Sequence, residues 1–256
     1  MIRNMVFPLL VFVGSGWIYG QQDNLNDLIR KIDERSKTYK EYHEYSASAV
    51  SVYKEMDNSW KPGKVTSIFK QIRQVDSSRV ETITRAVEIQ KGKETDITEK
   101  VLANEKKRQD RAKGKTEDAK QSKKEGRNQT FAVGYKELYP FSDEERKQYI
   151  FSQKPDTVLS GKPLLHILAS ARERTGNRYE GSYFVDPQTY DILLIDAAPA
   201  KNPKFVKDMR IRMAFEVLPG NYWMFKSYRM RIFASLLIKK VRIEAEETYS
   251  DFTIVR

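Results

Sequence analysis

Between residues 206 and 218 the chain alternates without a break. Met209, Ile211, Met213, Phe215 and Val217 fall on one side, Arg210, Arg212 and Glu216 on the other. A period of two held over that length dictates a β-strand with one apolar and one wet face. Pro219-Gly220-Asn221 supplies a tight turn, and residues 222–234 return as a second strand. A hairpin with one greasy face is not stable alone in water and needs more strands or a covering layer. This pair therefore commits the chain to a sheet-based fold.

The same signals recur elsewhere. Residues 46–53, 65–75 and 80–89 read as strands, with turns at Trp60-Lys61-Pro62-Gly63 and Asp76-Ser77-Ser78. Residues 130–135, 148–153 and 164–171 follow, the last two divided at Gly161-Lys162-Pro163. Ser142 and Glu145 have capping-box spacing for a brief helix. Residues 179–185 pass through Asp186-Pro187-Gln188-Thr189 into 190–195. In the last strand, 239–249, Val241, Ile243 and Ala245 share a side while Arg242, Glu244 and Glu246 take the other. Ahead of the strands, Leu25, Leu28, Ile29 and Ile32 line one face of a short helix, with Asn24 as its N-cap and Asp27 near its positive end. About ten antiparallel strands with hairpin links predict a mainly β fold, one strongly curved sheet that is closed or half-closed.

Two segments break the pattern. Residues 91–128 carry thirteen Lys or Arg and eight Asp or Glu, with hardly an apolar residue after Leu102. Ile97, Val101 and Leu102 suffice for one helical turn against the body, and the remainder reads as a charged, flexible insertion. Residues 1–20 combine a basic start at Arg3, an apolar run over 6–13 and small residues before Gln21-Gln22. That is the form of a secretory signal peptide, too short to span a bilayer. Residues 21–256 are then expected to form a single exported domain, soluble and periplasmic.

Composition narrows the chemistry. The chain has no Cys, so no disulfide, thiolate metal site or lipid-bearing Cys is available. Its formal charge of +11 suits anionic partners, including peripheral contact with an anionic membrane surface, while export argues against nucleic acid. The only two histidines, His43 and His166, have no metal-ligand spacing around them. Glu246 and Glu247 are adjacent on a strand and so point to opposite faces. Neither a metal, a cofactor nor a catalytic residue is expected, and binding is the better-supported class.

Several strands carry apolar residues on both faces, as in Tyr222-Trp223-Met224-Phe225 and Ile232-Phe233. One face meets the core and the other lines a cavity or a second layer. Met209, Met213, Phe215, Trp223 and Phe225 are the candidates for an acyl-chain cavity, combining flexible thioethers with aromatic area. Ordinary sheet core accounts for the same residues. Arg210, Arg212, Arg229 and Arg231 alternate on neighbouring strands and are candidates for an anionic headgroup at the rim, or a solvated strand face.

One resemblance ties these pieces together. Tyr179-Glu180-Gly181-Ser182-Tyr183-Phe184-Val185-Asp186-Pro187, then Asp191-Ile192-Leu193 and Pro199-Ala200-Lys201-Asn202-Pro203-Lys204-Phe205-Val206, resembles outer-membrane lipoprotein-sorting-like proteins. So does the ending from Tyr222-Trp223 through Tyr228-Arg229-Met230-Arg231 and Lys239-Lys240-Val241-Arg242-Ile243-Glu244 to Tyr249-Ser250-Asp251-Phe252. These proteins are similar to the periplasmic LolA carrier. The resemblance implies an incomplete antiparallel β-barrel with helices as a lid over an apolar cavity. It further implies an exported carrier for acyl chains or lipoproteins, with no cofactor. The alternative it leaves is an envelope-stress or assembly protein that uses the scaffold to bind a protein partner.

Overall fold

The computed structural model describes residues 16–41, 43–75, 78–118, 136–236 and 239–255. Helix α1 (Gly16–Ser36) precedes strands β1 (Glu44–Met56), β2 (Pro62–Val75), β3 (Ser78–Gln90) and β4 (Lys93–Asp96), and helix α2 (Thr98–Asp118) follows. Strands β5 (Tyr149–Leu159), β6 (Lys162–Ala171), β7 (Tyr179–Val185) and β8 (Ile192–Pro199) come next. The chain ends with β9 (Val206–Leu218), β10 (Tyr222–Leu236) and β11 (Lys239–Val255). All eleven strands join one antiparallel sheet in the order β4-β3-β2-β1-β11-β10-β9-β8-β7-β6-β5. β4 and β5 stand at opposite ends and do not pair, so the sheet is an unclosed barrel.

Turn chemistry explains much of this connectivity. Ser160-Gly161, Lys91-Gly92 and Gly220-Asn221 each place two successive residues at positive φ. That backbone fits the right-handed twist of flanking strands, and Gly or Asn adopts it most readily. The β5–β6 turn thus sits at Ser160-Gly161, and Lys162 and Pro163 already belong to β6. β5 also runs on past Pro155, with its register to β6 broken between Lys154 and Thr157. A proline is tolerated there because β5 is an edge strand with no second ladder to feed.

Several boundaries differ from those read off the sequence. α1 begins at Gly16, so Asn24 is an interior helical position rather than an N-cap. β11 continues to Val255, past the expected end at residue 249. The charged stretch is helical as far as Asp118, longer than a single turn. Its start is tied to the sheet. Ile97 N–H donates to Ala86 O at 2.9 Å and Thr98 Oγ1 accepts from Ala86 N–H at 2.9 Å. Ile97 and Val101 are half-buried and Leu102 is exposed. The expected strand at 130–135, the end of the charged run and residues 1–15 lie outside the described residues.

The core forms on one side of the sheet, termed the inner face. Direct cross-strand partners place Met213 beside Ile195, Ile195 beside Tyr183, and Tyr183 beside Ile167. Ile167, Tyr183, Ile195 and Ile211 are fully buried, and Leu25, Leu28, Ile29 and Ile32 of α1 pack into the same cluster. Two buried carboxylates fix the C-terminal end of α1. Asp191 accepts from Arg35 Nε at 2.6 Å, Tyr39 Oη at 2.8 Å and Thr189 Oγ1 at 2.7 Å. Asp33 pairs with Lys37 at 2.7 Å and accepts from Tyr139 Oη at 3.3 Å. Gly181 lets β7 and β8 close up, since a Cβ there would lie 2.3 Å from Asp196 O.

Candidate functional site

The five apolar candidates come together on the inner face. Met209, Met213 and Phe215 on β9 are each under 5% exposed, and Trp223 and Phe225 on β10 are half-buried in the same cluster. Phe215 stacks on Trp223 at 4.0 Å, Tyr39 stacks at 5.6 Å on Trp223, and Phe225 meets Phe215 edge-on at 5.8 Å. Trp223 Nε1–H donates to Ile192 O at 3.1 Å. These side chains belong to one packed cluster with Leu25, Leu28, Ile29 and Ile32 of α1. Met224, by contrast, joins a separate cluster with Tyr45, Ala47, Ala49, Ile72 and Tyr249.

The four arginines stand on the opposite face, in directly paired rows Arg212–Arg229 and Arg210–Arg231. Arg210 is bonded to Asp196 at 2.6 Å and Arg229 to Glu246 at 3.0 Å. Arg231 lies 3.6 Å from Glu244, with its guanidinium 4.2 Å over the Trp60 ring. Arg212 is exposed and has no side-chain ion pair among the described residues. Acidic neighbours on β8 and β11 thus take up most of the charge that the sequence offered to a headgroup.

Beyond the cover of α1 the inner face continues across β10, β11 and β1. Met230, Ala245 and Tyr53 are successive cross-strand partners, and Ile232 faces Ile243 in the next row. All are apolar and none is buried; Tyr53 is 46% and Ile243 36% exposed. Tyr228, one row further, is half-buried, and burial pushes its phenol up to about 12. Tyr228, Met230 and Ile232 pack against the core cluster, and Tyr53 and Ile243 extend it as exposed apolar surface.

The next rows hold an ionic cluster that sequence reasoning missed. Glu247 accepts hydrogen bonds from Ser51 and Tyr249, and Lys70 Nζ lies 2.9 Å from it. Lys70 also reaches Glu81 at 3.0 Å, and Arg79 bonds Glu81 at 2.8 Å and Tyr249 Oη at 2.9 Å. Burial alone would raise the Glu247 carboxyl, but the bonds from Ser51, Tyr249 and Lys70 outweigh it and hold it below its ordinary value. Lys70 is pulled down by burial and pushed up more strongly by its two carboxylates. One signal was readable: Lys70 shares strand parity with Ile68 and Ile72, and Glu247 with Ala245 and Tyr249. A charge on the apolar parity of a strand marks an inward-facing ion pair.

Of the two histidines, His166 lies on β6. His166 Nε2 is 2.9 Å from Ser182 Oγ and its ring stacks at 4.7 Å on Phe184. Burial, with help from Lys154, lowers its pKa. Among the described residues, no group of three His, Cys, Asp or Glu is placed to hold a metal ion.

Neither a scan of protein-family models nor a search of curated proteins finds a match. Solved structures do resemble the chain. A domain from Vibrio parahaemolyticus, assigned as an outer membrane lipoprotein-sorting protein, is 13% identical with TM-score 0.39 and 88% of this chain and 91% of that one covered. The complex of MucA and MucB from Pseudomonas aeruginosa gives 9% identity, TM-score 0.27 and coverage of 89% and 94%. A LolA superfamily protein from Nitrosomonas europaea gives 8% identity, TM-score 0.33 and coverage of 90% and 93%.

Proposed function

We propose that this protein is an exported, periplasmic carrier that binds a lipid or lipoprotein by laying acyl chain along the inner face of its open sheet. The observation that carries the reading is the half-exposed band of Met230, Ile232, Ala245, Ile243 and Tyr53 beside the packed core. Burying about ten methylenes there at ~0.8 kcal/mol each approaches micromolar binding before ordering costs. Met209, Met213, Phe215, Trp223 and Phe225 form the floor onto which the band continues, and α1 is the movable cover. Arg210, Arg212, Arg229 and Arg231 lie on the outer face, and the chain's net charge of +11 favours peripheral contact with an anionic membrane surface.

A second reading is an envelope-stress or assembly protein that binds a protein partner with the same band. It is favoured by the packing of Met209, Met213, Phe215, Trp223 and Phe225 into one cluster with α1. Native mass spectrometry with lipid extraction, on protein purified without detergent, separates the two. A stoichiometric lipid lost in Ile232→Asp, with circular dichroism unchanged, supports the carrier. Absence of bound lipid and of fluorescent fatty-acid uptake transfers the assignment to the protein-partner reading.

A further inference from the structure

The loops at one end of the sheet are basic. Pairing of Tyr179 with Pro199 and of Val206 with Ala234 brings residues 172–178 and 200–205 to the same end of strands β6 to β10. Arg174 Nε–H donates across these loops to Ala200 O at 3.0 Å, and Ala200 N–H donates to Arg178 O at 2.8 Å. Residues 172–178 and 200–207 carry Lys or Arg at 172, 174, 178, 201, 204 and 207 against one carboxylate, Glu173. Arg174 is engaged by Glu180 at 3.3 Å, and Arg178 lies 3.8 Å from Glu173. Lys201, Lys204 and Lys207 are exposed and have no ion pair among the described residues. The turns at the other end of the same strands, 186–191 and 219–221, hold Asp186 and Asp191 and no Lys or Arg.

Phe205 stands among those lysines. It is 47% exposed, whereas every other phenylalanine with a described environment is buried or half-buried. Its φ of 70° lies in the left-handed region that a bulky L-residue avoids. Three hydrogen bonds hold the loop in that shape. Val206 N–H donates to Pro203 O at 3.0 Å, Ser235 N–H to Phe205 O at 2.9 Å, and Asn202 Nδ2–H to Lys207 O at 3.0 Å. Lys204 Nζ lies 5.1 Å from the Phe205 ring centroid, so an ammonium travels with the ring. We propose that this end of the sheet docks on an anionic phospholipid bilayer, with Phe205 entering the headgroup layer and Lys201, Lys204 and Lys207 against the phosphates. Docking here rests on the membrane contact proposed above and assigns it to one loop, apart from the outer-face arginines. An exposed ring set among cations combines the apolar and electrostatic attractions on which interfacial binding draws. A polyanion with no apolar layer would engage the lysines and leave the ring in water.

Co-sedimentation of the full chain with vesicles tests it. Binding is expected to vesicles of phosphatidylcholine mixed with phosphatidylglycerol, weakening as salt rises, and not to phosphatidylcholine alone. Lys201→Gln, Lys204→Gln and Lys207→Gln combined should weaken it about a hundredfold. Phe205→Asn should weaken it about fivefold by removing apolar area. That variant should not lower the thermal midpoint, because Asn adopts the left-handed region more readily than Phe. Vesicle binding that ignores Phe205→Asn, matched by equal binding to heparin, would make this a plain polyanion surface and overturn the bilayer assignment. Vesicle binding that survives the triple lysine variant but is lost in Arg212→Gln with Arg229→Gln would move the contact to the outer face and overturn this loop as its site. Wild-type protein that binds neither vesicle would overturn the membrane contact itself, whatever lipid the inner-face band is found to hold.

Discussion

The inner face of this sheet is built in two ways. Across β5 to β9 it is apolar, and α1 seals it, leaving Ile167, Tyr183, Ile195 and Ile211 with no measurable exposure. Across β11, β1, β2 and β3 the centre is occupied by Lys70, Glu81, Arg79 and Glu247. Both halves satisfy the same requirement by different means. The first removes area from water; the second keeps water-compatible groups on an inward face and ties them to one another. An apolar core tolerates any greasy contact that fits, whereas a closed ionic cluster admits nothing that cannot replace its bonds. The carrier reading proposed above puts an acyl chain on the boundary band between the halves.

Four measurements would break or sharpen that contrast. The largest effect belongs to the sealed half. Tyr183→Ala removes a fully buried ring that meets Phe141 edge-on at 5.0 Å and donates to Leu138 O at 2.7 Å. It should cost about 4 kcal/mol in denaturant unfolding; a loss under ~1 kcal/mol would show that α1 does not seal that half. Lys70→Met comes next, at about 3 kcal/mol, because it removes the ammonium from the Glu247 carboxylate, whose side chain is only 20% exposed. Lys70→Met combined with Glu247→Gln should recover much of this, and strict additivity would mean the cluster is not coupled.

Acid titration gives a smaller effect. The folded Glu247 carboxyl lies below its ordinary value of 4.5, so its contribution is present above that pH and is lost as pH falls through the folded value. Lys70 is raised above 10.5, so its contribution is present below that pH and is lost as pH rises through the folded value. Glu247→Gln should flatten the acid limb of a stability–pH curve; an unaltered limb would remove the cluster from the account. Tyr53→Ala should be smallest, under ~1 kcal/mol, since the ring is 46% exposed. Its effect is expected on ligand uptake instead.

The sealed half was the legible one. In 206–218 alternation alone separated Met209, Ile211, Met213 and Phe215 from Arg210 and Arg212, and β9 carries that division unchanged. Leu25, Leu28, Ile29 and Ile32 were likewise recognisable as one buried helical face. The ionic half was not, because its members come from residues 51, 70, 79, 81, 247 and 249, and only strand pairing brings them together. Glu246 and Glu247 do part company as alternation requires, one to Arg229 and the other to Lys70. Pro155 hid the second half of β5, since proline reads as a strand terminator until the strand is known to lie on an edge.

An unclosed barrel has two ends, and each is a row of backbone groups ready to template another strand. Here neither row invites growth. β4 pairs with only Val87 to Gln90 of β3, and the uncovered length of β3 carries Arg79, Glu81 and Arg85 at close intervals. At the far end Lys154-Pro155-Asp156 interrupts β5, removing one donor and setting opposite charges on either side of the gap. A second copy sliding along either margin would find its ladder broken within a few residues. The opening of the sheet is thereby kept from becoming a seed for self-association, and the proline at position 155 is central to that protection.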